Sequence, residues 1–99
     1  MNRYVTRFTT AAKRRMRRIP KDEAVRVLRK LSELQDALEA GDTSALDIKP
    51  LTGQHGRWRL RIGDYRAVYT LDKDDDGQPV VCVLVIPVGD RRDIYGQGF

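Results

Sequence analysis

Four arginines fall within ten positions of RWRLRIGDYRAVY, residues 57–69, and their spacing says more than their number. Residues two apart on a strand project from one face, so Arg57, Arg59 and Arg61 turn one way while Trp58, Leu60 and Ile62 turn the other. Guanidinium groups keep their charge and present planar forks of N–H donors that match phosphate or carboxylate oxygens two at a time. A row of them on a sheet face suits the gripping of an anion. The bland counterpart is a solvated face on which each arginine pairs with an acid elsewhere in the chain. Further along, IPVGDRRDIY adds Arg91, Arg92 and Tyr95. Tyr95 is either a ring on which a base stacks or a tyrosine closing the edge of the core.

These side chains need elements to position them. Gly63-Asp64 separates two alternating runs, Arg57–Ile62 and Tyr65–Leu71, and has the composition of a tight two-residue hairpin turn. Such a turn fixes the register: Ile62 opposite Tyr65, Arg61 opposite Arg66, Leu60 opposite Ala67, Arg59 opposite Val68 and Trp58 opposite Tyr69. Trp58, Leu60, Ile62, Tyr65, Ala67 and Tyr69 then form an apolar face suited to packing under helices, and Arg57, Arg59, Arg61 and Arg66 share the other. Directly opposed Cβ atoms lie about 5 Å apart, so Arg61 and Arg66 bring two like charges together. Their repulsion is roughly 1 kcal/mol in water and about 3 kcal/mol at an effective dielectric near 20. A phosphate held between them converts that repulsion into bidentate attraction.

Around this hairpin, Tyr4, Thr6 and Phe8 alternate with Val5 and Arg7, which predicts a short first strand. Thr9 or Thr10 caps a helix whose apolar edge is Ala12, Met16 and Ile19. Pro20 ends it and suits the first turn of the next helix, where Asp22 and Glu23 favour the positive end of the dipole. Ala24, Val27, Leu28, Leu31, Leu34 and Leu38 keep helical spacing up to Gly41, a natural stop, so the two helices make an antiparallel hairpin. Residues 42–56 read as a connecting loop anchored by Leu46 and Leu51. The apolar run Val80–Ile86 predicts a central strand covered on both faces, with Cys82 as a small core residue. The sum is one α+β domain over residues 1–99: an N-terminal strand, a helical hairpin, then antiparallel strands completing a mostly antiparallel four-stranded sheet.

Composition narrows the function classes. The chain has 99 residues and a formal net charge of +5. Residues 1–30 carry eleven Lys and Arg, Lys13, Arg14, Arg17 and Arg18 among them, against only Asp22 and Glu23. Residues 31–56 carry one lysine against five acids, and residues 57–99 carry seven of each sign. A polycationic first third points to a polyanionic partner, nucleic acid or an acidic protein segment, with a solvated helix face as the competing reading. A single cysteine allows no internal disulfide and fits a reducing cytosol. No secretory signal or membrane-length apolar run is visible, so a soluble, cytoplasmic protein is expected. Metal or cofactor chemistry finds no support: no Cys/His cluster has ligand spacing, no glycine-rich phosphate loop follows a strand, and His55 stands alone in a loop. The acidic run at 72–76 lacks the closing glutamate of a calcium loop and reads as a solvated hairpin tip.

LTG at 51–53, WRLRIGDYRAVY at 58–69 and VIPVGDRRDIY at 85–95, behind a basic helical hairpin, resemble the RelE toxins of the RelE/ParE toxin superfamily. The likeness spans nearly the whole chain. It implies a toxin of a type II toxin–antitoxin system that enters the ribosomal A site and cuts mRNA without a metal. The messenger's own 2′-OH attacks the adjacent phosphate and leaves a 2′,3′-cyclic phosphate, or the 3′-phosphate from its opening, and a 5′-OH. By the same resemblance Arg59, Arg61, Arg66, Arg91 and Tyr95 are the catalytic set. Arg66 and the strand pair hold the phosphate, Arg91 serves the leaving oxygen, and Tyr95 holds a nucleotide splayed for in-line attack. Arg57, Lys13, Arg14, Arg17, Arg18 and Arg92 would contact RNA. A cognate antitoxin would cover or deform this face in a toxin–antitoxin hetero-oligomer.

Two departures accompany the resemblance. Some RelE proteins carry lysines at the two strand positions, and a lysine among cations can give up its proton, whereas guanidinium stays charged to about pH 12 or beyond. Arg59 and Arg61 therefore act by charge alone, and the base is unassigned. The tail GQGF also leaves no C-terminal helix. The rival reading is a non-enzymatic ParE-like poison of DNA gyrase on the same fold. A non-toxic nucleic-acid-binding module would rest on charge alone.

Overall fold

The computed structural model describes residues 3–87. Its elements are β1 (Val5–Phe8), α1 (Thr10–Arg18), α2 (Lys21–Ala40), β2 (Ile48–Pro50), β3 (Arg57–Ile62), β4 (Tyr65–Lys73) and β5 (Pro79–Val85). The strands form one sheet in the order β1-β5-β4-β3-β2. β1 runs parallel to β5, and the remaining neighbours are antiparallel. The α+β order expected from the sequence is present, with five strands in place of four.

Local chemistry sets the helix ends. The Thr9 hydroxyl oxygen accepts from the Ala12 N–H at 3.2 Å, capping α1, and the same hydroxyl donates to the Leu84 carbonyl. The Thr9 N–H donates to the Val83 carbonyl at 3.0 Å. One residue thus starts the helix and ties that start to β5. Pro20 occupies the N-cap of α2, with Asp22 and Glu23 in the first turn. Gly41, at φ 75°, closes α2 in the left-handed conformation that glycine adopts without steric cost. The far end of α2 also braces β1: the Tyr4 N–H donates to the Glu39 carboxylate at 2.8 Å, and the Gln35 amide donates to the Tyr4 carbonyl at 2.7 Å.

Both helices lay their apolar faces on one side of the sheet. Ala12, Ile19, Val27, Leu31 and Leu34 meet Leu60, Ile62, Ala67, Tyr69, Val81, Val83 and Ile86 in a single cluster, with Met16, Trp58 and Tyr65 half-buried against it. Burial pushes the Tyr69 phenol up to about 12. The apolar sheet face predicted from alternation is therefore the core face.

Four expectations need correction. Residues 42–56 are not wholly a loop, because Ile48–Pro50 pair with Trp58–Leu60 as the edge strand β2. Pro50 is tolerated there because an edge strand has one unpaired side. Leu28 is 49% exposed, since Val27 and Leu31 take the core-facing positions and Leu28 falls beyond the edge of the contact. β5 is interior in strand order but not covered on both faces: the helices cover one, and on the other Val85 is 41% exposed. Cys82 pairs with Arg7 and Thr70 on that second face and is half-buried, not a core residue.

Leu34→Ala should lower folding stability by about 2–5 kcal/mol, because it opens a cavity in a fully buried contact. Leu28→Ala should stay within about 0.5 kcal/mol. Urea unfolding followed by circular dichroism reads both.

Candidate phosphate-binding face

The β3–β4 register matches the one the two-residue turn requires: Arg61 pairs with Arg66, Leu60 with Ala67, Arg59 with Val68 and Trp58 with Tyr69. Arg57, Arg59, Arg61 and Arg66 consequently lie on the sheet face opposite the helices. Successive same-face residues on a strand stand about 7 Å apart, so Arg57, Arg59 and Arg61 make an evenly stepped row.

The four are not equivalent. Arg59 is largely enclosed, its side chain 15% exposed, and its guanidinium lies 3.9 Å from the Asp47 carboxylate. Asp47 precedes β2, and its carbonyl accepts from the Arg61 N–H at 3.0 Å. Arg57 donates to the Gln54 side-chain oxygen at 3.1 Å. Arg61 and Arg66, directly opposed, form no ion pair among the described residues. Among the described residues, Arg59 is thus paired with an acid and the arginines nearest the turn are not.

Charge continues around the turn. The Arg26 guanidinium lies beside Gly63, 3.7 Å from where a Cβ would stand. Burial raises the Tyr65 phenol above its ordinary value, the neighbouring Glu23 carboxylate and Asp64 raise it further, and Arg15 opposes them. The junction of the helical hairpin therefore closes over the turn two residues from Arg61. Lys13, Arg14, Arg17 and Arg18 are exposed on α1, in the helix layer on the far side of the sheet. Arg14, Arg15 and Arg18 line a shallow depression of about 270 Å³ there. The structure does not place these α1 cations on the arginine face. Arg91, Arg92 and Tyr95 lie outside the described residues.

Two neighbours escaped the sequence reading. Lys49 pairs with Arg59 across β2 and β3, which puts a lysine in the same cross-strand row, and Asp47 supplies the carboxylate. Their signal was the alternation of Leu46 and Ile48 with polar residues, too short and too close to Pro50 to stand out from a loop. Among the described residues no cluster of three or more His, Cys, Asp or Glu side chains is placed to hold a metal ion. No described helix is long and apolar enough to cross a membrane.

Comparison with known proteins gives the following. The family model described as ParE toxin of type II toxin-antitoxin system, parDE, matches residues 6–95. No curated protein matches the chain. Among solved structures, the archaeal RelE–RelB complex from Pyrococcus horikoshii is similar at 22% identity and TM-score 0.65, covering 89% of this chain and 97% of that one. The toxin–antitoxin complex RelBE2 from Mycobacterium tuberculosis is similar at 26% identity and TM-score 0.63, covering 87% of this chain and 98% of that one. The RelB–RelE antitoxin–toxin complex from Methanococcus jannaschii is 18% identical at TM-score 0.60, covering 93% and 98%.

Asp47→Asn should release Arg59 to an external anion. Because the pair is part-exposed and long, stability should change by less than about 1 kcal/mol. The salt dependence of single-stranded RNA binding should steepen by about 0.7 in log K against log salt, the increment for one more phosphate contact. Filter binding over a salt series measures it.

Proposed function

This chain belongs to the ParE toxin family of type II toxin–antitoxin systems, within the RelE/ParE superfamily, and from that premise we propose that it is a ribosome-dependent endoribonuclease cutting mRNA in the A site. The observation that carries the reading is the opposed pair Arg61 and Arg66, which has no carboxylate partner among the described residues and stands on the helix-free side of the sheet. Two guanidinium forks facing each other are unfavourable alone and favourable around a phosphodiester, whose charge grows as a pentacoordinate phosphorus forms.

The chemistry uses the messenger as its own nucleophile. The 2′-oxygen bonds to the adjacent phosphorus, its proton passes to a base, and the 5′-oxygen leaves with a proton. The products are a 2′,3′-cyclic phosphate and a 5′-OH. Arg61 and Arg66 hold the non-bridging oxygens, and Arg59, braced by Asp47, adds positive potential. The Pro87 carbonyl accepts from the Arg66 N–H at 3.0 Å, so the chain reaches position 87 beside the pair. Arg91 follows by four residues, at most about 14 Å of chain, so it is within reach of the pair and is assigned to the leaving oxygen; the family resemblance assigns Tyr95 to a stacked nucleotide. Arg57 and Arg92, with Lys13, Arg14, Arg17 and Arg18 on the far layer, contact messenger and ribosomal RNA. The similar structures are complexes with RelB, which supports a cognate antitoxin as the protein partner, in a cytoplasmic hetero-oligomer.

The second reading, a gyrase poison without nuclease activity, is favoured by one observation: the matching family model is that of ParE. Purified protein added to programmed ribosomes separates the two. Cuts within the A-site codon carrying 2′,3′-cyclic ends are expected, and Arg61→Ala or Arg66→Ala should slow them by about 10²–10³-fold with the fold intact. Intact message together with trapped gyrase–DNA complexes would refute the nuclease.

A further inference from the structure

The β2–β3 connection holds a small recess that the arginine face does not account for. It encloses about 190 Å³ and is lined chiefly by Pro50, Leu51, Gln54, His55, Arg57 and Trp58. Its walls are a proline ring, a leucine, an imidazole and an indole, which is the mix that receives a flat heterocycle: apolar area for stacking with few polar groups. The polar groups are specific. Gln54, one of the lining residues, gives its side-chain oxygen to Arg57 at 3.1 Å, which leaves its amide N–H groups as the donors it can offer a ligand. Turn contacts hold the loop in shape, from the Leu51 N–H to the Arg57 carbonyl at 2.9 Å and from the Gln54 N–H to the Leu51 carbonyl at 3.2 Å.

Arg57 belongs to both places. It lines the recess and begins the row that continues through Arg59 to Arg61 on the other side of its own strand. A strand whose phosphates follow that row brings the base of a flanking nucleotide to the recess. We infer that this recess is a base-recognition subsite: it takes a nucleobase of single-stranded RNA about two nucleotides along the strand from the phosphate gripped by Arg61 and Arg66, stacks it against His55 and Trp58, and reads its acceptor edge with the Gln54 amide. The inference rests on the proposed RNA-cleaving function for its substrate, and the recess itself rests on geometry independent of cleavage.

Trp58 is the sole tryptophan, so the protein reports on its own recess. Nucleoside monophosphates titrated into the isolated protein at millimolar concentrations should quench its fluorescence, while ribose 5-phosphate, which offers the phosphate without the base, should not. Gln54→Ala and His55→Ala should weaken the quenching affinity by about five-fold or more, the low end for loss of one stacking or edge contact. In the ribosome assay both variants should cut the best codon about five-fold more slowly while poorer codons change little, so that preference among codons is lost. No quenching, or equal quenching by ribose 5-phosphate, would overturn the subsite. So would unchanged codon preference in both variants. Base-dependent quenching by a protein that leaves mRNA intact would instead sink the nuclease reading and leave the subsite standing.

Discussion

The opposition of Arg61 and Arg66 is the constraint on which the candidate site depends, and it is imposed by the turn and the core together. Gly63, at φ 56°, adopts a backbone conformation that L side chains rarely enter, which permits a two-residue connection between β3 and β4. Once that connection is made the pairing can slip only in steps that move whole faces. A one-residue slip of β3 would put its arginines under the helices and Leu60 and Ile62 in water. Each of the larger buried side chains contributes about 1.5–3 kcal/mol. Two arginines facing each other near the surface cost roughly 1–3 kcal/mol. Burial therefore outweighs the repulsion, and the like-charge pair is held in place by residues that never touch a ligand.

The positive charge of the chain is organised rather than merely abundant. Toward β2 the face is partly answered from within, by Asp47 on Arg59 and Gln54 on Arg57. Toward the turn Arg61 and Arg66 have no ion pair among the described residues, and there the Arg26 guanidinium and the Arg15–Glu23–Tyr65 junction carry charge around the edge of the sheet. The α1 cations form a second basic surface on the opposite layer. A single flat patch would suit one groove of nucleic acid. Two basic layers joined at an edge offer polyanionic partners two separate surfaces.

Much of this was legible in the chain because the periods were clean. Alternation from Arg57 to Leu71 around Gly63-Asp64 fixed faces and register to the residue, and the 3.6-residue spacing from Ala24 to Leu38 placed α2. What escaped was short or depended on neighbours. β2 has three residues, one a proline, and is a strand only because Trp58–Leu60 pair with it. With it went Lys49 and Asp47. Leu28 keeps helical spacing yet lies past the rim of the contact, a matter of helix rotation that spacing alone cannot set. Val80–Ile86 reads as doubly covered because its second face is apolar too, although no described helix lies over it. Arg91 and Tyr95 stand out in the tail only as an arginine and an aromatic ring, and their roles come from the family resemblance.

The central claim is that Arg61 and Arg66 repel each other in the free protein and wait for an anion. A double-mutant cycle of Arg61→Gln and Arg66→Gln, read by urea unfolding at low ionic strength, tests it most directly. The account predicts a repulsive coupling on the order of 1 kcal/mol that fades as salt is raised, with each single variant no less stable than the wild type. An attractive coupling, or destabilisation by either single change, would mean the pair is already satisfied within the fold and would contradict it.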